Sequence, residues 1–445
     1  MIVKILEIVK KYLFLNLDSA NQSAGIRRYF NNTSWLFLGQ GLSLLISFFI
    51  GAMIARRLGP SSYGVLSYAL SFTTLFGIFF CFGVDAAMNR ELIKYPEKEK
   101  ELLGTFWLFK LGGGILTLLV ATGAAVISRF DWLTVKLIAI FSGIFIIQSL
   151  GIITLFFQAK VNARKSSLAQ VWTSFIMIPV KLLWFFYSGN IMLLAFIYIF
   201  DFVVLGIFLI RYYQSKGNIL SWKFDKQIFK DIFHSSVFLM FSGVAILGVL
   251  KIDQIIIGHF LGKTAVGLYA VADRLTEAWD FIPRLICLSL FAAIINARKV
   301  DFTLYNRRLK HLYYLMLGLA LLIMTATLVI SRPLIIFLFG PEYEEAINIL
   351  RVYVLSLPGI FLFTAVNQRL VAEGREKRIF LANFSALAIN IILNFVFLPR
   401  FGLIGSAWAT VITFIYLPIF MLLSKTKQPL SSVIEVDKSI DPSRV

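Results

Sequence analysis

Long apolar stretches, each bounded by charged residues or by Gly and Pro, recur twelve times along this chain. A helix needs roughly 20 residues to cross the ~30 Å hydrocarbon core of a bilayer. Lipid offers backbone N–H and C=O groups no partner, so a chain patterned this way is confined to helices that satisfy themselves. The spans are expected near residues 34–55, 63–84, 103–128, 133–159, 168–187 and 191–212, then 232–252, 266–297, 312–330, 346–371, 379–397 and 402–423. Residues 334–340 can also be read as a re-entrant turn. The loops are short, and no soluble domain fits between spans. The chain reads as an all-α polytopic membrane protein.

Composition agrees. Charged residues make up 15% and hydrophobic ones 59%, against roughly 25% and 45–50% in soluble domains. With a mean hydropathy of +0.82, disorder and an ordinary soluble enzyme are excluded. The net charge of +19 would suggest nucleic acid in a soluble protein, but here Lys and Arg report topology first. With a cytoplasmic N-terminus, inside segments hold 30 of them and outside loops seven: Arg56, Arg57, Arg129, Lys136, Lys263, Arg332 and Arg400. Both termini are therefore expected in the cytoplasm, and no nucleic-acid partner is needed.

The expected order is a cytoplasmic segment (1–33), a six-helix bundle (34–212), a cytoplasmic linker (213–231), a second six-helix bundle (232–423) and a polar cytoplasmic tail (424–445). The first 15 residues form a basic amphipathic stretch suited to the membrane surface, without the apolar core and cleavage site of a signal peptide. A shift of 203 residues lays Leu58-Gly59 and Gly64 over Leu261-Gly262 and Gly267. The motif follows the first span of each half, as a parallel six-plus-six repeat requires.

Catalytic chemistry is missing from the sequence. His234, His259 and His311 lie in no metal-ligand spacing. Gly262-Lys263-Thr264 mimics the end of a phosphate loop, but Ile257 stands where the first glycine is required. Gly112-Gly113-Gly114 suits close helix packing. Asn31-Asn32-Thr33 is a glycosylation sequon on the cytoplasmic side. Cys81 and Cys287 fall in apolar runs and read as buried small hydrophobes.

The informative residues are charges inside spans. Six cations, Lys110, Lys181, Lys251, Arg274, Arg284 and Arg351, face five acids, Asp201, Asp253, Asp273, Glu277 and Asp280. At roughly 2.5–3.5 kcal/mol each in contact with lipid, they must face one another or water. Asp273, Glu277, Asp280 and Arg284 share one helical stripe, with Arg274 beside it at i, i+3 from Glu277. Lys110, Lys181 and Lys251 have no acid one turn away and suggest a cation-lined cavity; structural ion pairs and snorkelling are the alternatives. Asp201 and Asp253 are either ion-pair partners or sites for a coupling ion.

Several strings at helix ends carry a resemblance. They are Ala55-Arg56-Arg57-Leu58-Gly59-Pro60, Gly83-Val84-Asp85, Asn89-Arg90-Glu91-Leu92, Lys251-Ile252-Asp253, Phe339-Gly340-Pro341-Glu342-Tyr343, Asn367-Gln368-Arg369-Leu370 and Gly405-Ser406-Ala407-Trp408. In their order and placement the chain resembles the Wzx-type oligosaccharide flippases of the multidrug/oligosaccharidyl-lipid/polysaccharide superfamily. That resemblance implies a MATE-like fold, with two bundles about a V-shaped cavity that opens alternately to either side. It implies flipping of a polyprenyl-pyrophosphate-linked oligosaccharide to the outer leaflet of a bacterial plasma membrane, with a peptidoglycan-precursor flippase and a multidrug exporter as alternatives. The substrate's anionic head would meet the six cations together with Arg56 and Arg57. Also implied are a monomer in contact with membrane lipids and polysaccharide polymerase or export machinery, no cofactor, and coupling to H+ or Na+ through Asp201, Asp253, Asp273, Glu277 or Asp280.

Overall fold

A computed structural model describes residues 22–81, 84–160, 162–215, 217–300 and 302–423. Within them lie fourteen α-helices and no strand. The first half holds α1 (Gln22–Phe76), α2 (Ile78–Cys81), α3 (Val84–Lys94), α4 (Glu99–Ile127), α5 (Trp132–Gln148), α6 (Ile152–Ala159), α7 (Ala163–Tyr187) and α8 (Ile191–Gln214). The second holds α9 (Lys226–Phe260), α10 (Lys263–Val300), α11 (Phe302–Phe339), α12 (Ala346–Tyr353), α13 (Leu357–Ala372) and α14 (Glu376–Leu423).

Twelve crossings emerge from these elements. Glycines in the left-handed region break the two longest helices, α1 at Gly59 (φ 70°) and α14 at Gly402 (φ 59°), so each crosses twice. Single 3₁₀ turns join α5 to α6 and α12 to α13, and each pair crosses once. α4, α7, α8, α9 and α11 cross once each, and the charged α10 supplies the twelfth crossing. Side-chain caps start three of the helices: Asp131 bonds the Thr134 amide before α5, Asn190 the Met192 amide before α8, and Asp225 the Gln227 amide before α9.

The repeated glycine motif turns out to be the junction of the two halves. Gly59 and Gly262 (φ 82°) both make left-handed turns. Gly64 and Gly267 then face one another so closely that a Cβ on Gly64 would lie 1.7 Å from the Lys263 carbonyl oxygen, and one on Gly267 2.0 Å from that of Pro60. Around this seam the Tyr343 hydroxyl donates to the Ala55 carbonyl at 2.8 Å, Arg56 donates to the Phe337 carbonyl at 3.0 Å, and the Lys263 ammonium lies over the Tyr68 and Phe130 rings.

The buried clusters show how the halves diverge. One, including Tyr63, Leu66, Tyr269, Val271, Phe339 and Tyr343, draws on both halves at the seam end. Away from it each half has its own: Leu103, Phe106, Phe157 and Tyr213 in the first, Met316, Leu357 and Phe361 or Ala382, Phe414 and Leu417 in the second. At that far end the linker is strapped onto α4. The Lys223 amide donates to the Lys100 carbonyl at 3.2 Å, the Asp225 amide to Thr105 Oγ1 at 2.9 Å, and Trp222 packs edge-on to Trp107.

Three expectations change. Residues 334–339 continue α11, so there is no re-entrant turn. α1 is already helical at Gln22, the first described residue, well before the expected start of the first span. Of the glycine triplet, Gly113 and Gly114 meet the Phe79 and Phe145 backbones, whereas Gly112 faces open space. The amphipathic stretch 1–15 and the tail 424–445 lie outside the described residues.

Candidate functional site

A cavity of about 580 Å³ runs through the second half, from Asp273 and Tyr353 at depth to Glu376 at the linker end. At 1.5 Å per residue, Asp273 lies about 15 Å along α10 from its seam-end start, within the middle of a bilayer core. The predicted stripe is real: Asp273, Glu277, Asp280 and Arg284 all line this cavity.

Asp273 is buried and fully engaged. Its Oδ2 accepts from Lys251 at 3.2 Å and Gln254 at 2.9 Å, and its Oδ1 from the Tyr353 hydroxyl at 2.9 Å. Gln254 in turn accepts from Ser71 of the first half at 2.7 Å. Lys251 also lies 3.9 Å from Glu277, whose side chain is 63% exposed to the cavity. Arg284 pairs with Asp280. Arg274 turns away towards the first half: it donates to the Ser47 carbonyl at 2.7 Å, beside Tyr63, and its guanidinium fills the space where Gly51 lacks a Cβ.

A second polar site sits deeper in the same half. The buried Asp253 accepts from the Tyr269 hydroxyl at 2.8 Å and Asn394 Nδ2 at 2.7 Å, and from Thr410. Ser406 donates to Asn394 Oδ1, and the amide of Asn390 lies 3.3 Å from Asn394. Asp253, Asn390, Asn394, Ser406 and Thr410 are each at most 2% exposed. No salt bridge reaches Asp253 among the described residues. A dry carboxylate without a countercharge is costly, and this oxygen-rich nest suits a proton or a small hard cation. The sequence reading found Asp253 but missed Tyr269 and the four polar side chains of α14 around it. Their signal was available: Asn390 and Asn394, and Ser406 and Thr410, are each four apart on one helical face.

The remaining cations have partners the sequence did not reveal. Lys110, read as lacking an acid, pairs with Asp85 at 2.5 Å, and Lys181 with Asp201 at 2.6 Å. Both belong to the first half, and neither lines the cavity. Arg351 is exposed and bonds Ser331 at 3.0 Å, and Arg56 and Arg57 sit exposed at the seam end. The expectation of one cation-lined cavity is therefore corrected. The described wall carries two cations, Lys251 and Arg284, against four acids, Asp273, Glu277, Asp280 and Glu376. The cations were misread because their partners come from other helices.

A family model described as polysaccharide biosynthesis protein matches residues 29–295. The chain belongs to that family. A second model, MatE, matches residues 239–396, and the two together place the chain in the multidrug/oligosaccharidyl-lipid/polysaccharide superfamily of membrane transporters, not among enzymes. It is 24% identical over 405 residues to a putative O-antigen transporter of Shigella flexneri, covering 84% of this chain and 92% of that protein. A capsular polysaccharide biosynthesis protein of Staphylococcus aureus, CapF, is 24% identical, covering 84% and 94%. The fold matches an inward-facing MATE multidrug transporter with a TM-score of 0.69 at 14% identity, over 86% of this chain and 93% of that one. It also matches the lipid II flippase MurJ in an inward closed conformation, at 0.65 and 18%, over 86% of each chain. The MATE-like fold expected from the sequence is thus observed.

Proposed function

We propose that this protein flips a polyprenyl-pyrophosphate-linked oligosaccharide from the cytoplasmic to the outer leaflet by alternating access. The observation that carries the reading is a charged cavity at membrane depth in a member of a polysaccharide biosynthesis family. The two halves rock about the seam. Lys251 and Arg274, at the junction of the halves, meet the anionic head, while Lys110–Asp85 and Lys181–Asp201 hold helices in register. Asp253 and its polar neighbours take H+ or Na+ and couple the rocking to an ion gradient. Asp273, bonded to Lys251 and to Tyr353, whose ring meets that of Tyr269 edge-on, links the head-group site to the ion site.

Deleting the gene should trap lipid-linked oligosaccharide in the inner leaflet and remove surface polysaccharide. Normal distribution of that glycolipid between leaflets would overturn the reading. Accumulation of lipid II instead would favour peptidoglycan-precursor flipping. The acid excess on the cavity wall favours a further reading, export of cationic drugs, which the same strain tests by heightened sensitivity to cationic dyes with polysaccharide unchanged. In the complemented strain Asp253→Asn should abolish ion-dependent flipping while membrane levels stay normal.

A further inference from the structure

The proposed flippase reading leaves the composition of the sugar open, and the following rests on that reading. The cavity wall is better suited to a glycan than to a pyrophosphate. Beyond the Lys251–Asp273 pair it presents acceptors and amides, with Glu277, Glu376, Asn367 and Gln368 among them, flanked by the rings of Phe363 and Phe414. Carboxylates and amides accept from sugar hydroxyls, and aromatic rings cover the apolar faces of pyranoses. Asn367 and Gln368 bring amide donors as well as acceptors to this wall. Glu277 lies on this wall 3.9 Å from Lys251, with its side chain 63% exposed.

Charge then sets the selection. Four carboxylates face two cations, and one cation, Arg284, is already held by Asp280. A uronic or sialic acid brought here would place like charges together in a site of reduced dielectric, which rejects a ligand as firmly as a good contact attracts one. We propose that this cavity is the glycan subsite, and that it selects neutral or amino-bearing sugars against acidic ones.

The test uses the purified full-length protein in detergent and three probes: chitobiose, the free-amine glucosamine disaccharide, and digalacturonate. Saturation-transfer NMR titrations should rank affinity as amine, then neutral, then acidic, with the amine on the order of tenfold tighter than the acid, the size of one charge contact. Glu277→Gln should narrow that gap, and Glu277→Asp, which keeps the charge, should preserve it. Farnesyl pyrophosphate serves as a separate probe of head-group binding. If it binds and the three sugars do not, or bind equally, or the acid binds tightest, the glycan subsite is wrong and the flippase reading stands. If neither sugars nor farnesyl pyrophosphate bind, both fall.

Discussion

An ammonium buried beside a carboxylate costs far less than either group left alone, and Lys181 and Asp201 meet that condition at 2.6 Å. Lys181→Ala strands the acid, which should destabilise the protein by about 3–5 kcal/mol. The double variant Lys181→Ala/Asp201→Ala should recover most of that loss in denaturation of the detergent-solubilised protein. A double variant as unstable as the single one would mean that the pair is not the unit. At the linker end, Glu373 answers to pH. Burial pushes its pKa up, but hydrogen bonding and charge from Arg369, with Tyr305 and Arg375, outweigh burial and hold it below its ordinary 4.5. The unfolded chain therefore takes up this proton first. The stabilisation is whole above about pH 4.5 and is lost as pH falls through the lower, folded value. Glu373→Gln should melt below wild type at neutral pH and show a shallower fall on acidification. Parallel curves would refute the assignment.

Helix contacts are tested where two backbones leave no room for a methyl group. A Cβ at Gly64 or Gly267 would strike a carbonyl oxygen, not a yielding side chain. Alanine at either should cost about 1–3 kcal/mol as overpacking does, while Gly112→Ala, facing open space, should be neutral or slightly stabilising. Thermal melts of the three variants decide this, and equal melting would sink the seam. Much at this scale was legible in the sequence. The stripe on α10 and the glycine repeat both depend on spacing along one chain, and spacing is what a sequence records. The Lys110–Asp85 and Lys181–Asp201 pairs join different helices, so no local period marks them. The ring of amides and hydroxyls about Asp253 escaped notice because uncharged polar residues in an apolar span attract little attention singly.

For the whole molecule, one buried core is shared by the two halves at the seam end, and each half has further cores of its own beyond it. The distribution of Lys and Arg predicts that the linker end faces the cytoplasm. In a background lacking Cys81 and Cys287, a cysteine at Ser221 should stay unlabelled by impermeant reagent in intact cells and react in inverted vesicles. Labelling from outside would reverse the topology. The number of crossings was readable from hydropathy, but the reach of α1 back through residues 22–33 was not, because those residues lack an apolar signature.

The linker strap has a consequence for how the gene can be cut. Residues 222–225 are bound to α4 through Trp222, Lys223 and Asp225, so the covalent join follows the first half and bears little of the load between halves. Two polypeptides split after Phe224, which keeps Trp222 and Lys223 on the first fragment and leaves Asp225 to cap α9, should find one another through the glycine seam. A break before Asn218, which would carry the strap off with the wrong fragment, should reassemble less well. Evolution by fusion of two six-helix genes, run backwards in this way, would leave its scar at the strap.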